Sequence, residues 1–172
     1  LEVGCGDGAI IGAFSKNIKR RVGVDLAEQA IKFAQAFHKD IEFLAQDAKL
    51  LDETFNAVMA IEVLEHIPDP QVSSFLKTLE TRTKKGGVIY ISVPSINLPL
   101  YSKHYRHYSL DLLQKQISDA GLSVEISELR YFRSPVRFEK FYQRLTDNRL
   151  FVGDIHPLRR AIWKKVESTL ND

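Results

Sequence analysis

Three stretches of this 172-residue chain combine residue types and spacings that could do chemistry. The first is the opening run Leu1-Glu2-Val3-Gly4-Cys5-Gly6-Asp7-Gly8, where an apolar, β-favouring segment breaks into Gly-x-Gly-x-Gly and a helical pattern with Ile10, Ile11 and Phe14 follows. Glycines in such a turn admit positive φ and let a ligand approach the backbone, while the unpaired N–H groups of the following helix attract an anionic group. A nucleotide-like cofactor is therefore expected over the turn. The spacing is not that of the dinucleotide fingerprint G-x-G-x-x-G, since Gly8 follows Gly6 by two residues. The reading needs an acidic residue roughly 20 positions further on, and Asp25 supplies it. A carboxylate at that strand end can accept both hydroxyls of a ribose; the plainer alternative is a solvated strand-end acid or a helix cap.

The second stretch is Glu62-Val63-Leu64-Glu65-His66-Ile67-Pro68-Asp69-Pro70. If one helical turn follows the strand before it, positions 62, 65 and 66 share a face, bringing two carboxylates and an imidazole together. Such a triad suits a general base with an orienting partner, or most of a divalent-metal site. Alternatively the carboxylates bond to backbone and His66 only packs at a cleft rim. The third stretch, 95–108, holds Lys103, His104, Tyr105, Arg106, His107 and Tyr108. Arg106 and Lys103 suit a phosphate or carboxylate, the tyrosines a ring, and either histidine could take a proton from a hydroxyl. His-x-x-His without a nearby cysteine or further paired histidine is a poor zinc signal, so no metal ligand is assigned from it. The alternative is a surface loop whose aromatics only pack.

The elements that must position these groups alternate along the chain. Strands are expected at 21–26, 41–45, 55–61, 88–94 and 122–131, after the opening strand. Helical patterns run over 9–18, 27–37, 71–83 and 110–120. Lys84-Lys85-Gly86-Gly87 reads as a turn, and the apolar run that follows it as a central parallel strand covered on both faces. Ser109 is placed to cap the last of these helices and Gly121 to end it. In a parallel sheet of this kind, ligands bind outside the C-terminal strand ends, where loop 95–108 would face an acceptor. Beyond Tyr131 no strand is evident. Apolar residues at 138, 141, 142 and 145 alternate with Arg137, Lys140 and Arg144, and 157–170 forms a last amphipathic pattern. The expected architecture is α/β, a mostly parallel central sheet flanked by helices, with residues 1–131 as core and 132–172 as a helical extension packing on it or forming a lid or dimer face.

The opening glycine turn with Asp25 resembles the first motif of class I S-adenosylmethionine-dependent methyltransferases, an acid ahead of Gly-x-Gly-x-Gly matched by Glu2, Gly4, Gly6 and Gly8. The 62–70 block resembles the E-V-L-E-H-I/V-x-D-P segment of ubiquinone-biosynthesis-like and related small-molecule methyltransferases. His104, Arg106, Tyr108 and Ser109 match an H-x-R-x-F/Y-S/T sequence common among small-molecule members. The resemblance covers residues 1–131 and implies a Rossmann-like fold and S-adenosylmethionine as cofactor. It implies cofactor contacts from Glu2, Gly4, Cys5, Gly6, Gly8, Asp25, Leu26, Asp47, Ala48, Ile61 and Glu62. Asp47 would meet the adenine amino group, its alternative being a loop-turn acid. Glu65, His66, His104 and His107 are candidates for a base or for holding the acceptor, and Lys103, Tyr105, Arg106 and Tyr108 for binding it. The implied reaction is O-methylation of a small molecule, sugar or lipid-linked acceptor.

Small-RNA 2′-O-methyltransferases also place E-x-x-E-H after the fourth strand and bind a metal with it, and Glu62, Glu65 and His66 with His104 or His107 would match. The loop after Pro94 lacks that family's Asn-x-Glu-Phe-Asn pattern and no RNA-binding module is apparent, which counts against nucleic acid. A third possibility is a catalytically silent cofactor-binding scaffold.

Composition sets outer limits. The length suits one well-buried domain, and 44% hydrophobic with 27% charged residues is ordinary for a globular protein. No apolar run is long enough to span a bilayer, and one cysteine excludes an internal disulfide, so a cytoplasmic location is the default expectation. The absence of an initiating Met reads as the C-terminal part of a longer protein. Net charge is +2, unevenly spread, with −2 over 1–102 and +4 over 103–172. That bias hints at an anionic acceptor or surface, although solvated charge explains it too. The basic and aromatic stretch 130–149 suits a lipid headgroup, an RNA backbone or a polyphosphate, or else a covered sheet edge or homodimer face.

Overall fold

The computed structural model describes residues 1–14 and 18–122. The chain divides into two units, Leu1–Leu129 and Arg130–Asp172, and the described residues belong to the first. The expected strand at 122–131 and the helical patterns over 136–145 and 157–170 lie outside them, save Leu122.

In chain order the elements are β1 (Glu2–Val3), α1 (Ala9–Ala13), β2 (Val22–Asp25), α2 (Glu28–Phe37), β3 (Glu42–Ala45), β4 (Phe55–Ile61), α3 (Asp69–Arg82), β5 (Thr83–Ser92) and α4 (Leu110–Asp119). Short 3-10 turns occupy Ala48–Leu50 and Leu64–His66. Among the described residues all strand pairings are parallel, in the order β3-β2-β1-β4-β5. This is the doubly wound arrangement: the chain leaves β1 toward β2 and β3, then returns to the other side of β1 for β4 and β5. One apolar cluster, Cys5, Ile11, Ile31, Ala34, Ile41 and Phe43, unites α1 and α2 with the sheet. A larger one gathers Val22, Val24, Val58, Ala60, Leu76, Leu79 and Leu113 under α3 and α4.

Two expectations are corrected. The Lys84–Gly87 turn lies inside β5, where pairing jumps from Phe55↔Thr83 to Ala57↔Val88, so that the four residues form a bulged excursion with Gly86 at φ 75°. Nor, among the described residues, is β5 covered on both faces. It is the outer strand of the described sheet, with Val88 and Tyr90 exposed while Ile89 and Ile91 pack against the core.

The first helix is shorter than the pattern over 9–18 implied. Five residues cannot sustain a helix alone, because nucleation costs more than so few bonds return. Two buried ionisable side chains brace it instead. The Glu2 Oε2 atom accepts the N–H of Ile11 at 3.0 Å, satisfying a first-turn donor from inside the sheet. At the other end the Arg21 guanidinium donates to the carbonyls of Ile11 and Phe14 and pairs with Asp40. Helix α4 ends as expected, with the Ser109 hydroxyl accepting from Leu112 N–H and Gly121 left-handed at φ 59°.

Burial raises the Glu2 carboxyl from 4.5 to about 7, against the opposing pull of the Ile11 N–H. The folded chain thus holds a proton that the unfolded chain has lost across this interval, so Glu2 makes stability fall as pH rises from about 4.5 to 7. Glu2→Gln keeps an acceptor for Ile11 and removes the titration. Urea midpoints measured at both ends of that interval should fall less with pH in the variant than in the native chain; parallel trends would contradict the assignment.

Candidate active site

The site is built from the C-terminal ends of β1, β2 and β4, which lie side by side at the point where strand order reverses. After β1 the backbone turns through Gly4, Gly6 and Gly8, all at positive φ. A Cβ added at Gly6 would meet nothing within 4 Å, leaving the turn open to a ligand. A Cβ at Gly4 would lie 2.5 Å from Val63 Cγ2, so the turn packs against the segment that follows β4. The glycine motif and the 62–70 block, 58 residues apart at Gly4 and Glu62, therefore form two walls of one crevice.

Asp25 braces the first wall. Its Oδ2 accepts the Gly6 N–H at 2.9 Å and its Oδ1 accepts the Ala27 N–H at 2.8 Å. A carboxylate has about four lone-pair sites, so each oxygen retains one for a diol. Leu26, beside it, is 76% exposed and offers apolar surface at the strand end. Asp47 caps the turn after β3, its Oδ1 accepting from Lys49 N–H at 2.9 Å and its Oδ2 pairing with Lys49 Nζ at 3.0 Å. Asp47 thus makes the loop-turn contacts that were its alternative reading, and its side chain stays partly exposed. Ala48 is buried. Cys5 is buried too, and loss of hydration pushes its thiol up to about 12, so it packs as a neutral group that donates within the turn to the Gly6 carbonyl at 3.8 Å. An open glycine turn, an acid with spare acceptor sites and an exposed apolar side chain fit an adenosyl group.

The second wall departs from the expected triad. Ile61 ends β4, and Glu62 is the one described non-glycine residue at positive φ, 54°. That conformation costs an ordinary residue about 1–3 kcal/mol and persists only when its surroundings impose it. Here Glu62 N–H donates to Ser92 O at 3.0 Å, and Ser92 Oγ donates to Glu62 Oε1 at 2.6 Å. The left-handed residue breaks the strand before the 3-10 turn begins, so Glu62 does not share a helical face with Glu65 and His66. Ser92 was not singled out from sequence. Its signal was positional, a polar side chain at the end of the strand adjoining β4, in register with Ile61.

Glu65 is 1% exposed and its Oε2 has no hydrogen-bond partner. Burial raises its carboxyl pKa, opposed by a backbone hydrogen bond, with the charge of Glu62 adding to the rise. His66 Nε2 lies 3.9 Å from Glu65 Oε1, and its Nδ1 is 3.0 Å from the Lys103 carbonyl. His104 stands edge-on to His66, ring centroids 4.6 Å apart. Loss of hydration lowers the His104 pKa, with the charges of His66 and His107 acting in the same direction. Glu65, His66 and His104 each offer a ligand atom, all within 4.8 Å of one another. His104 Nδ1 is 2.9 Å from His107 Nε2, and His107 Nδ1 is 3.2 Å from the Leu98 carbonyl.

The loop carrying these histidines is pinned at its base, where Ile96 N–H donates to Tyr108 O and Tyr108 N–H to Pro94 O, both at 2.8 Å. Its middle is tied to the second wall by Tyr105 N–H donating to Glu65 O at 2.8 Å. Arg106 is turned inward: it donates to the carbonyls of Leu64 and Ile67 and to Tyr108 Oη, and pairs with Asp69 at 2.8 Å. Tyr108 is 2% exposed and its hydroxyl donates to Leu64 O. These two residues brace the loop from within, while Lys103 and Tyr105 are exposed.

Residues 1–91 match the family model described as a methyltransferase domain. A ubiquinone biosynthesis O-methyltransferase of Coxiella burnetii is 32% identical over 142 residues, covering 75% of this chain and 58% of that protein. Its counterpart from Chromobacterium violaceum is 30% identical over 142 residues, with 75% and 59% covered. The chain thus spans under two thirds of the length of these relatives. Among solved structures, a putative methyltransferase from Bacillus halodurans is similar at 25% identity and TM-score 0.58, over 73% of this chain and 62% of that one. The magnesium protoporphyrin IX methyltransferase of Synechocystis, solved with S-adenosylmethionine bound, shares the fold at 22% identity and TM-score 0.57, over 77% and 62% of the two chains. With an open glycine turn and its acidic brace at the strand switch point, this chain belongs to the class I S-adenosylmethionine-dependent methyltransferases.

Proposed function

We propose that this chain transfers a methyl group to an oxygen of a small hydroxyl-bearing acceptor such as a phenol, a sugar or a lipid-linked precursor. The observation that carries this reading is the packing of Val63 against Gly4, which sets the Glu65, His66 and His104 cluster beside the open glycine turn. When bound, S-adenosylmethionine supplies an electrophilic methyl group on a sulfonium. The backbone of Gly4, Gly6 and Gly8 receives the donor, the spare acceptor sites of Asp25 hold its ribose, and Leu26 and Asp47 border its adenine. Ile61 and Glu62 line its methionine end. What remains for the protein is to hold the reacting atoms about 3–3.5 Å apart and to take the hydroxyl proton. Glu65, His66 and His104 stand where that proton would be received. Exposed Lys103 and Tyr105 are the loop's contacts for an anionic or aromatic acceptor, with Arg106 and Tyr108 shaping the loop that presents them.

Calorimetry with S-adenosylmethionine tests the donor half. Gly6→Ala, at positive φ in open space, should cost about 1 kcal/mol of stability yet weaken donor binding more than about tenfold. Gly4→Ala adds a clash with Val63 to the same backbone strain and should cost about 2–4 kcal/mol. An intact chain that binds neither S-adenosylmethionine nor its demethylated product would overturn the reading.

A second reading is favoured by the gathered carboxylate and two imidazoles, a donor set that suits a first-row divalent cation. Under it Glu65, His66 and His104 would hold a metal that orients the acceptor, as in RNA 2′-O-methylation, with Glu62 bonded instead to Ser92. Methyl transfer to catechol and to a short RNA, each with and without EDTA, separates the two. Metal-free transfer to catechol is expected; transfer to RNA abolished by EDTA would favour the second.

A further inference from the structure

Two of the three histidines of the site, His66 and His107, bond to backbone carbonyls and the third, His104, bonds to His107, which dictates where each neutral ring carries its proton. A carbonyl only accepts, so His107 Nδ1, 3.2 Å from Leu98 O, must be the donor of that pair. With the ring neutral, His107 Nε2 is then a bare acceptor. His104 Nδ1, 2.9 Å away, must supply the proton between them. That leaves His104 Nε2 as a bare lone pair. His107 is buried, and both its ring nitrogens are committed within the protein. His66 is set in the same sense, its Nδ1 donating to Lys103 O at 3.0 Å and its Nε2 left bare.

We infer that His107 is a positioning residue: it locks His104 in the Nδ1–H tautomer, so that Nε2 presents a lone pair to the hydroxyl of the acceptor. The inference rests on the proposed function for the identity of the acceptor and on the hydrogen-bond chain alone for the tautomer. A free imidazole side chain prefers the Nε2–H form, which would turn a donor toward the hydroxyl and leave no acceptor for its proton. The chain Leu98 O, His107, His104 reverses that preference. Its end, His104, is the less buried half of the pair, while the orienting half is shielded from water, where hydrogen bonds hold geometry best. Because loop 95–108 is pinned by Arg106 and by the Tyr105 to Glu65 backbone bond, the carbonyl that starts the chain is part of the same brace as the second wall.

The test uses the full chain with nitrogen-labelled histidine and long-range proton–nitrogen correlation spectra, in mildly alkaline solution. Native His104 should carry its proton on Nδ1. His107→Gln offers a carbonyl oxygen to His104 and an amide donor to Leu98, and should preserve that tautomer. His107→Leu offers neither and should let His104 revert to Nε2–H. With catechol as acceptor, His107→Leu should lower kcat about 100-fold while leaving the KM for S-adenosylmethionine unchanged, and His107→Gln should recover most of it. Nε2–H in native His104, an unchanged tautomer in His107→Leu, or equal loss of kcat in both variants would overturn the assignment. If His107→Leu does not fold, the native spectrum and the Gln variant decide it. Native protein that shows the tautomer but neither binds donor nor methylates catechol would strike the proposed function and leave the histidine chain standing.

Discussion

A two-residue strand, Glu2–Val3, is paired on both sides, to β2 and to β4, and that double pairing decides where ligands can be held. The connection leaving β1 runs to one side and the connection leaving β4 runs to the other. Between them the C-terminal strand ends stay uncovered. Any ligand held there touches two segments far apart in sequence, the glycine turn after β1 and the Glu62–His66 segment after β4. Val63 against Gly4 is the point at which they meet.

Ionisable side chains do much of the positioning around that crevice. Glu2 and Arg21 hold the two ends of a five-residue helix that could not persist alone. Asp25 ties the glycine turn to the end of β2, and Arg106 ties the acceptor loop to the turn after β4. In each case a side chain spends hydrogen bonds on backbone groups at the ends of short helices, strands and turns. An unpaired buried backbone group costs about as much as a lost hydrogen bond. Loops so braced keep a fixed shape without secondary structure of their own. The left-handed Glu62, gripped twice by Ser92, is the strained member of this set and stands at the junction of strand and site.

The elements that periodicity and turn chemistry describe were legible from sequence. Helices α2, α3 and α4 and strands β2, β3 and β4 fall within two residues of their expected bounds, because burial on one or both faces imposes a repeating pattern on the residues that form them. Where the pattern misled, a local exception had won. Gly86 at positive φ lets the Lys84–Gly87 segment bulge within β5 rather than precede it, and α1 stops at Ala13, where Arg21, just ahead of β2, closes it. Arg106 and Tyr108 illustrate the limit for side chains. Their types suit an acceptor, yet the fold directs both into the protein, and residue type carries no information about direction across a loop.

The sequence by itself determined the class of chemistry, since glycines that admit positive φ, an acid at the next strand end and an E-V-L-E-H block are local features that survive without knowledge of the fold. Tertiary structure alone decided which of those groups act together. It separated Glu62 from Glu65 through a single left-handed residue, brought His104 beside His66 across 38 positions of chain, and buried His107 behind it. The reason is physical: backbone preference is set within a few residues, whereas the direction of a side chain and the identity of its hydrogen-bond partner depend on which distant segment packs against it.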